Sequence, residues 1–252
     1  MHCIINRAFV CALLLGSLVS ASVSAEVFIP NSSVDGIDGD VFGWTRGDAN
    51  STYSGWDIFE GRNAEGNAFK DSTPDIGLIG NASTIGVGPG SIYTGSGNIY
   101  SPFAPLSFTG TAASGTDDGS FTRIVAQIRA GSTAIDQNSL LMNIGGSQTA
   151  PSLFLETEGL PASPAAPAGT PPGRDYLALW DINGTASGYD FAFDSVGSSF
   201  TLAEMHIDTF VSDTAFVTPS AVPEPSAMVA TLFAGSGLLL RRRRKRRVGV
   251  NA

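Results

Sequence analysis

Between Glu26 and Ala221, apolar residues alternate singly with polar ones over short runs, and glycine, serine, asparagine or aspartate closes each run. Alternation with period two gives a strand one apolar face and one polar face. A surface helix instead needs apolar residues three and four apart, and no long stretch here has that spacing. In Thr122 to Arg129, Ile124, Ala126 and Ile128 point one way while Arg123, Gln127 and Arg129 point the other. Tyr189, Phe191 and Phe193 alternate with Asp190, Ala192 and Asp194. Ala203, Met205, Ile207, Thr209 and Val211 alternate with Glu204, His206, Asp208 and Phe210. Asp175 to Ile182 reads as another strand, and the Asn183-Gly184 that follows is the strongest two-residue hairpin signal. The expected fold is therefore all-β: a single antiparallel β-sandwich, jelly-roll-like, spanning residues 26–221.

Two internal echoes refine this picture. Gly88 to Tyr93 resembles Gly95 to Tyr100, which places two Ile-Tyr pairs on nearby strand segments with glycine turns between them. Two copies are too few for a solenoid. Trp56-Asp57-Ile58 resembles Trp180-Asp181-Ile182 and reads as two similar strands in one core. Asp117-Asp118-Gly119 reads as a hairpin turn. Five prolines between Gly159 and Gly173 exclude a central strand there and predict an extended surface loop.

Composition excludes several functions. From Glu26 to Ala221 there are 22 acidic and 6 basic residues, a net of −16, so the basic footprint that nucleic-acid binding requires is absent. Both cysteines, Cys3 and Cys11, lie in the first dozen residues, and His206 is the one histidine beyond them. The middle of the chain thus has no disulfide, no thiol nucleophile and no Cys/His zinc set. No G-x-S-x-G elbow, Walker A loop or Rossmann glycine fingerprint occurs. Lys70 is the single lysine of the region. Sequons at Asn31, Asn50, Asn81 and Asn183 read as Asn/Ser/Thr-rich loops.

The two ends differ in kind from the middle. A basic start ending at Arg7, an apolar run from Ala8 to Val19 and a small-residue Val23-Ser24-Ala25 together read as a secretory signal peptide, residues 1–25. The expected cut is between Ala25 and Glu26, with the Sec export machinery and signal peptidase as the implied partners. At the other end, Val222-Pro223-Glu224-Pro225 precedes a charge-free stretch, Ala227 to Leu240, and then the basic run Arg241 to Arg247. The apolar stretch is shorter than the roughly 20 residues that span a bilayer comfortably. Snorkelling arginines and local thinning would permit a strained transmembrane helix, with the basic run held on the cytoplasmic side.

That order of parts, Val222 to Arg247, resembles the PEP-CTERM sorting signal of proteins exported by Gram-negative bacteria. The resemblance implies recognition of Val222, Pro223, Glu224 and Pro225 by an exosortase, a membrane protease-transpeptidase that removes the tail. It also implies a transient inner-membrane anchor, a final place on the cell surface or outside the cell, and association with extracellular polysaccharide. The expected protein is non-enzymatic.

Three sets of residues are candidates for chemistry. Glu204, His206 and Asp208 share one strand face. Two carboxylates beside an imidazole suit a divalent metal or acid–base work, and a hydrolase would use them so. The default is a solvent-facing polar row opposite a buried face. Asp35, Asp38, Asp40 and Asp48 form an acidic, glycine-rich cluster that could hold Ca²⁺ and serve a Ca²⁺-assisted carbohydrate-binding module. The EF-hand template fails there, because Phe42 and Ala49 occupy ligand positions when Asp38 is aligned first. The default is an acidic turn. Trp44, Trp56, Tyr53, Tyr93 and Tyr100 could stack on sugar rings or belong to the core.

Overall fold

The computed structural model describes residues 37–38, 41–60, 69–115, 118–159, 173–217 and 219–221, all within the unit Ser24–Ala221. The signal peptide, its cleavage site, the sorting motif and the apolar C-terminal segment lie outside the described residues. So do Asp35 and Asp40. Among the described residues no helix is long and apolar enough to cross a membrane.

The described chain is all-β, with one 3₁₀ turn at Gln137–Ser139 as its helical element. The strands are β1 (Ile37–Asp38), β2 (Ser51–Trp56), β3 (Phe69–Asp71), β4 (Gly77–Ile79), β5 (Thr84–Val87), β6 (Ile92–Tyr93), β7 (Ile99–Ser101) and β8 (Ser107–Ala113). They continue with β9 (Phe121–Gly131), β10 (Leu141–Ile144), β11 (Ser147–Thr149), β12 (Leu153–Gly159), β13 (Gly173–Asn183), β14 (Gly188–Asp194), β15 (Phe200–Ser212) and β16 (Ser220–Ala221). All pairings between them are antiparallel.

Two sheets carry the core. One runs β12-β13-β9-β15-β2-β4, with the β6–β7 hairpin attached to β15; the other runs β11-β10-β14-β8-β5-β3. Their inner faces meet in one cluster. Trp56, Ile124, Ile128, Tyr176, Trp180 and Met205 come from the first sheet, and Ile85, Phe108, Met142, Phe191 and Phe193 from the second. Phe108 and Phe193 stack with centroids 4.6 Å apart. At one end of the core the closure is polar. The hydroxyls of Thr52 and Thr209 lie 2.5 Å apart, and both are within hydrogen-bonding reach of the Ala113 carbonyl on the facing sheet, at 3.0 and 2.8 Å. A short pair, β1 with β16, joins the two ends of the unit, setting Ile37 opposite Ala221 and Asp38 opposite Ser220.

The predicted alternations of β9 and β14 hold, and Asp175–Ile182 lies within β13 as expected. In β15, Met205 and Ile207 point inward as predicted, but a register shift between Leu202 and Glu204 puts Leu202, not Ala203, in the main core cluster. The two Ile-Tyr pairs lie on neighbouring strands as expected and pair antiparallel, with Ile92 opposite Tyr100 and Tyr93 opposite Ile99. Trp56 and Trp180 enter one core, as their echo predicts, although Ile58 lies beyond the end of β2 and is exposed. The proline-rich segment leaves and returns on paired strands, since Gly159 sits opposite Gly173; residues 160–172 are outside the described set.

Two expected hairpins are corrected. Asn183-Gly184 does turn the chain, with Gly184 at φ 101°, a conformation that glycine adopts without strain. The turn nevertheless joins β13 to β14, which belong to different sheets. The reason is geometric: β13 already has β12 on one side and β9 on the other, so no edge is free for the strand that follows. The same holds at Asp118-Gly119, which lies between β8 and β9 on opposite sheets.

Candidate functional site

The outer face of the eight-stranded sheet is a lattice of cross-strand rows set by register. Glu204 on β15 lies opposite Arg129 on β9, which lies opposite Asp175 on β13. His206 faces Gln127, which faces Leu177. Asp208 is flanked by Tyr53 and Val125, and Phe210 by Arg123, itself opposite Asp181. Directly opposed residues on one face interact most strongly in a sheet, so the registers decide which charges meet.

Here the expectation of a solvent-facing row is overturned. Asp208 is fully buried, and Glu204 and His206 are largely covered. The cover includes the segment before β2, where Val41, Phe42 and Trp44 pack on Val125, Leu153, Leu177 and Leu179. Trp44 stacks on Phe210 at 5.2 Å between centroids. The two-sided burial was signalled by Val125, Leu177 and Leu179, apolar residues at positions that strict alternation assigns to the polar face.

Each group of the Glu204–His206–Asp208 row is engaged. Arg46 donates to both oxygens of Asp208, from Nε at 2.5 Å and Nη2 at 2.7 Å, and its guanidinium lies 3.8 Å from the centre of the Tyr53 ring. Burial pushes the Asp208 carboxyl above the usual carboxylate range, and Arg46 opposes that shift. His206 Nε2 lies 2.8 Å from Glu204 Oε1, and Nδ1 lies 3.0 Å from the Tyr53 hydroxyl. A carboxylate only accepts, so Nε2 carries a hydrogen and, in the neutral ring, Nδ1 accepts from Tyr53. Burial raises the Tyr53 phenol pKa, against the lowering effect of Arg46, which keeps it a donor. The second oxygen of Glu204 accepts from Arg129 Nη1 at 2.6 Å, and Arg129 Nε donates to Asp175 at 2.9 Å. The arrangement knits four strands together. Catalytic residue types are present, but their lone pairs and protons are directed at one another.

At the other end of that face, Arg123 donates to Asp181 at 2.6 and 2.9 Å, to the Val41 carbonyl at 3.0 Å and to the Val217 carbonyl at 2.9 Å. It ties the segments before β2 and after β15 to the sheet.

Asp38 lies on β1, opposite Ser220. Asp48 is used locally, its Oδ2 accepting from the Thr45 amide at 2.9 Å. Among the described residues no group of three or more His, Cys, Asp or Glu could hold a metal ion. Of the proposed aromatic platform, Trp44, Trp56 and Tyr53 are buried, and Tyr93 packs against the main core.

The second site was not anticipated. A groove of about 410 Å³ crosses the outer face of the six-stranded sheet. Its lining includes Lys70 on β3, Thr84 and Gly86 on β5, Thr109 and Thr111 on β8, Asp190 and Ala192 on β14, Asn143 on β10 and Gln148 on β11. Because Phe108 and Ala112 point into the core, Thr109 and Thr111 must point out; Asp190 and Ala192 follow from Tyr189, Phe191 and Phe193 in the same way. Thr111 donates to Asp190 at 2.9 Å. The sequence signal was the polar side of these alternations, short hydroxyl and amide side chains, together with the lone lysine.

No protein family's sequence profile matches the chain, and no curated protein matches it. Among solved structures, the enzymatically active domain of bacteriophage CBA120 tailspike protein 4 is similar at 16% identity with a TM-score of 0.21, covering 73% of this chain. The match spans 21% of the tailspike chain, about a fifth of its length.

Proposed function

We propose that this is an exported, non-enzymatic protein of the bacterial cell surface or extracellular matrix, associated with extracellular polysaccharide. Sec export and signal peptidase cutting between Ala25 and Glu26 deliver it. A C-terminal helix over residues 227–240 then holds it briefly in the inner membrane, with the basic run inside, until exosortase acts at Val222, Pro223, Glu224 and Pro225. The observation that carries this reading is the order of parts after the last strand: β16 ends at Ala221, and the Pro-Glu-Pro motif, apolar stretch and basic run follow without a gap. The non-enzymatic reading is supported by the engagement of Glu204, His206 and Asp208 with their neighbours.

We infer further that the β domain is jelly-roll-like. Within the sheets, the orders β2-β15-β9-β13 and β8-β14-β10-β11 pair the first long strand with the last, and in chain order these eight strands alternate between faces except at the β10–β11 hairpin. Apart from the separate β1–β16 pair, the remaining strands extend these two sets of four.

The test is the mass of the mature chain in a host that encodes an exosortase. The wild type should lose its tail, and a Pro223→Ala/Glu224→Ala variant should keep it and stay in the membrane fraction. Equal processing of both would sink the sorting reading. A carbohydrate-binding module is the second reading, favoured by the groove on the six-stranded sheet. If Ca²⁺ assists it through Asp35, Asp38 and Asp40, EDTA should release bound glycan.

A further inference from the structure

We propose that the groove on the outer face of the six-stranded sheet binds an uncharged, hydroxyl-rich glycan chain. The proposal rests on the reading that the domain associates with polysaccharide, and it supplies the surface and the ligand class.

Five basic residues of the domain are described, and four of them, Arg46, Arg123, Arg129 and Arg174, hold carboxylates. Lys70 is the fifth. It is exposed, has no ion-pair partner among the described residues and lines the groove. Asp190 lines the same groove, so one cation and one anion leave it without net charge. Around them stand threonine hydroxyls and the amides of Asn143 and Gln148. A carboxylate that accepts, an ammonium that donates, and hydroxyls and amides that do both match a ligand carrying many hydroxyls.

The shape agrees with the chemistry. Gly86 and Ala192 clear the floor of bulk, and the volume lies within the range of built small-ligand sites. A net of −16 over residues 26–221 would repel a polyanion, which favours an uncharged chain over an acidic one.

The experiment is affinity electrophoresis of the full-length chain through native gels containing dextran, mannan or hydroxyethylcellulose, with polygalacturonate as the anionic comparison. Retardation in at least one neutral gel is expected. Asp190→Ala/Asn143→Ala should weaken it about tenfold, the loss of roughly one charge-assisted hydrogen bond. Ala192→Trp, which fills the groove from its solvent side, should abolish it while the circular dichroism spectrum and Tm stay those of the wild type. Retardation by polygalacturonate alone, or neutral-gel binding that Ala192→Trp leaves intact, would overturn the proposal. In the second case association with polysaccharide would survive through another surface. No retardation in any gel would also overturn it, and intact tail processing would then show that the export reading stands apart.

Discussion

Arg46 closes on Asp208 across 162 positions of sequence, with a bidentate contact at 2.5 and 2.7 Å to a carboxylate that has no solvent exposure. One partner comes from the segment before β2 and the other from the middle of β15. The pair therefore fastens the cover of the eight-stranded sheet to its centre. A buried ion pair adds little net stability compared with well-packed apolar residues, but removing one partner strands the other charge.

Arg46→Met should accordingly cost about 3 kcal/mol at pH 7, and Arg46→Met/Asp208→Leu should recover most of the loss. In the single variant the Asp208 carboxyl, already raised by burial, loses the group that opposed the shift. A carboxyl raised in the folded state contributes stability that is present below the unfolded pKa and is lost as pH rises through the folded one. Urea denaturation of Arg46→Met should therefore show a smaller deficit at pH 5 than at pH 7. An equal deficit at both would contradict the assignment.

Asp57 and Asp75 form an exposed carboxyl pair at the end of β2, with Asp75 accepting from the amides of Asp57 and Ile58 at 3.2 and 3.0 Å. Desolvation, followed by the hydrogen bond and like charge of Asp57, lifts the Asp75 pKa to about 6. Stability contributed by this group is full below about pH 4 and falls as pH rises through about 6. NMR titration should place Asp75 near 6 in the wild type and lower in Asp57→Asn. Asp75→Asn should flatten that limb of the stability–pH curve.

Trp44 covers Val125, Leu177 and Leu179 while stacking on Phe210. Trp44→Ala should cost about 3 kcal/mol through the cavity it opens. Phe103, which is 90% exposed, should tolerate change to Ser within about 0.5 kcal/mol. Comparable losses from both, measured by urea midpoint, would deny the cover its role.

Gly110 on β8 lies opposite Ile85 of β5 and Phe191 of β14. A Cβ there would meet the Thr84 carbonyl at 2.3 Å and the Phe191 ring at 2.4 Å. Gly110→Ala should cost about 2 kcal/mol, since backbone on one side cannot yield as a side chain can. Thermal melts would decide it, with an unchanged Tm counting against the packing described.

The strands β9, β13, β14 and β15, the inward faces of β9 and β14, and the shared face of Glu204, His206 and Asp208 were legible in the sequence, because period-two alternation is a local property that geometry converts directly into sidedness. The composition also showed that the middle of the chain has no cysteine for a disulfide and no Cys/His zinc set. What the tertiary structure decided was partnership. Asn183-Gly184 has the local form of a hairpin, yet the occupied flanks of β13 send the chain to the other sheet. The Glu204 row has the local form of a wet surface, yet Val41, Phe42, Trp44 and Arg46 arrive over the face from far away in sequence and turn it into a buried ionic lattice. The groove needed five strands, β3, β5, β8, β10 and β14, plus the edge strand β11, to be set side by side before Lys70, Asn143 and Asp190 could line one surface. Alternation tells each side chain which face it is on; register and sheet order, fixed by contacts distant in sequence, determine what it meets there.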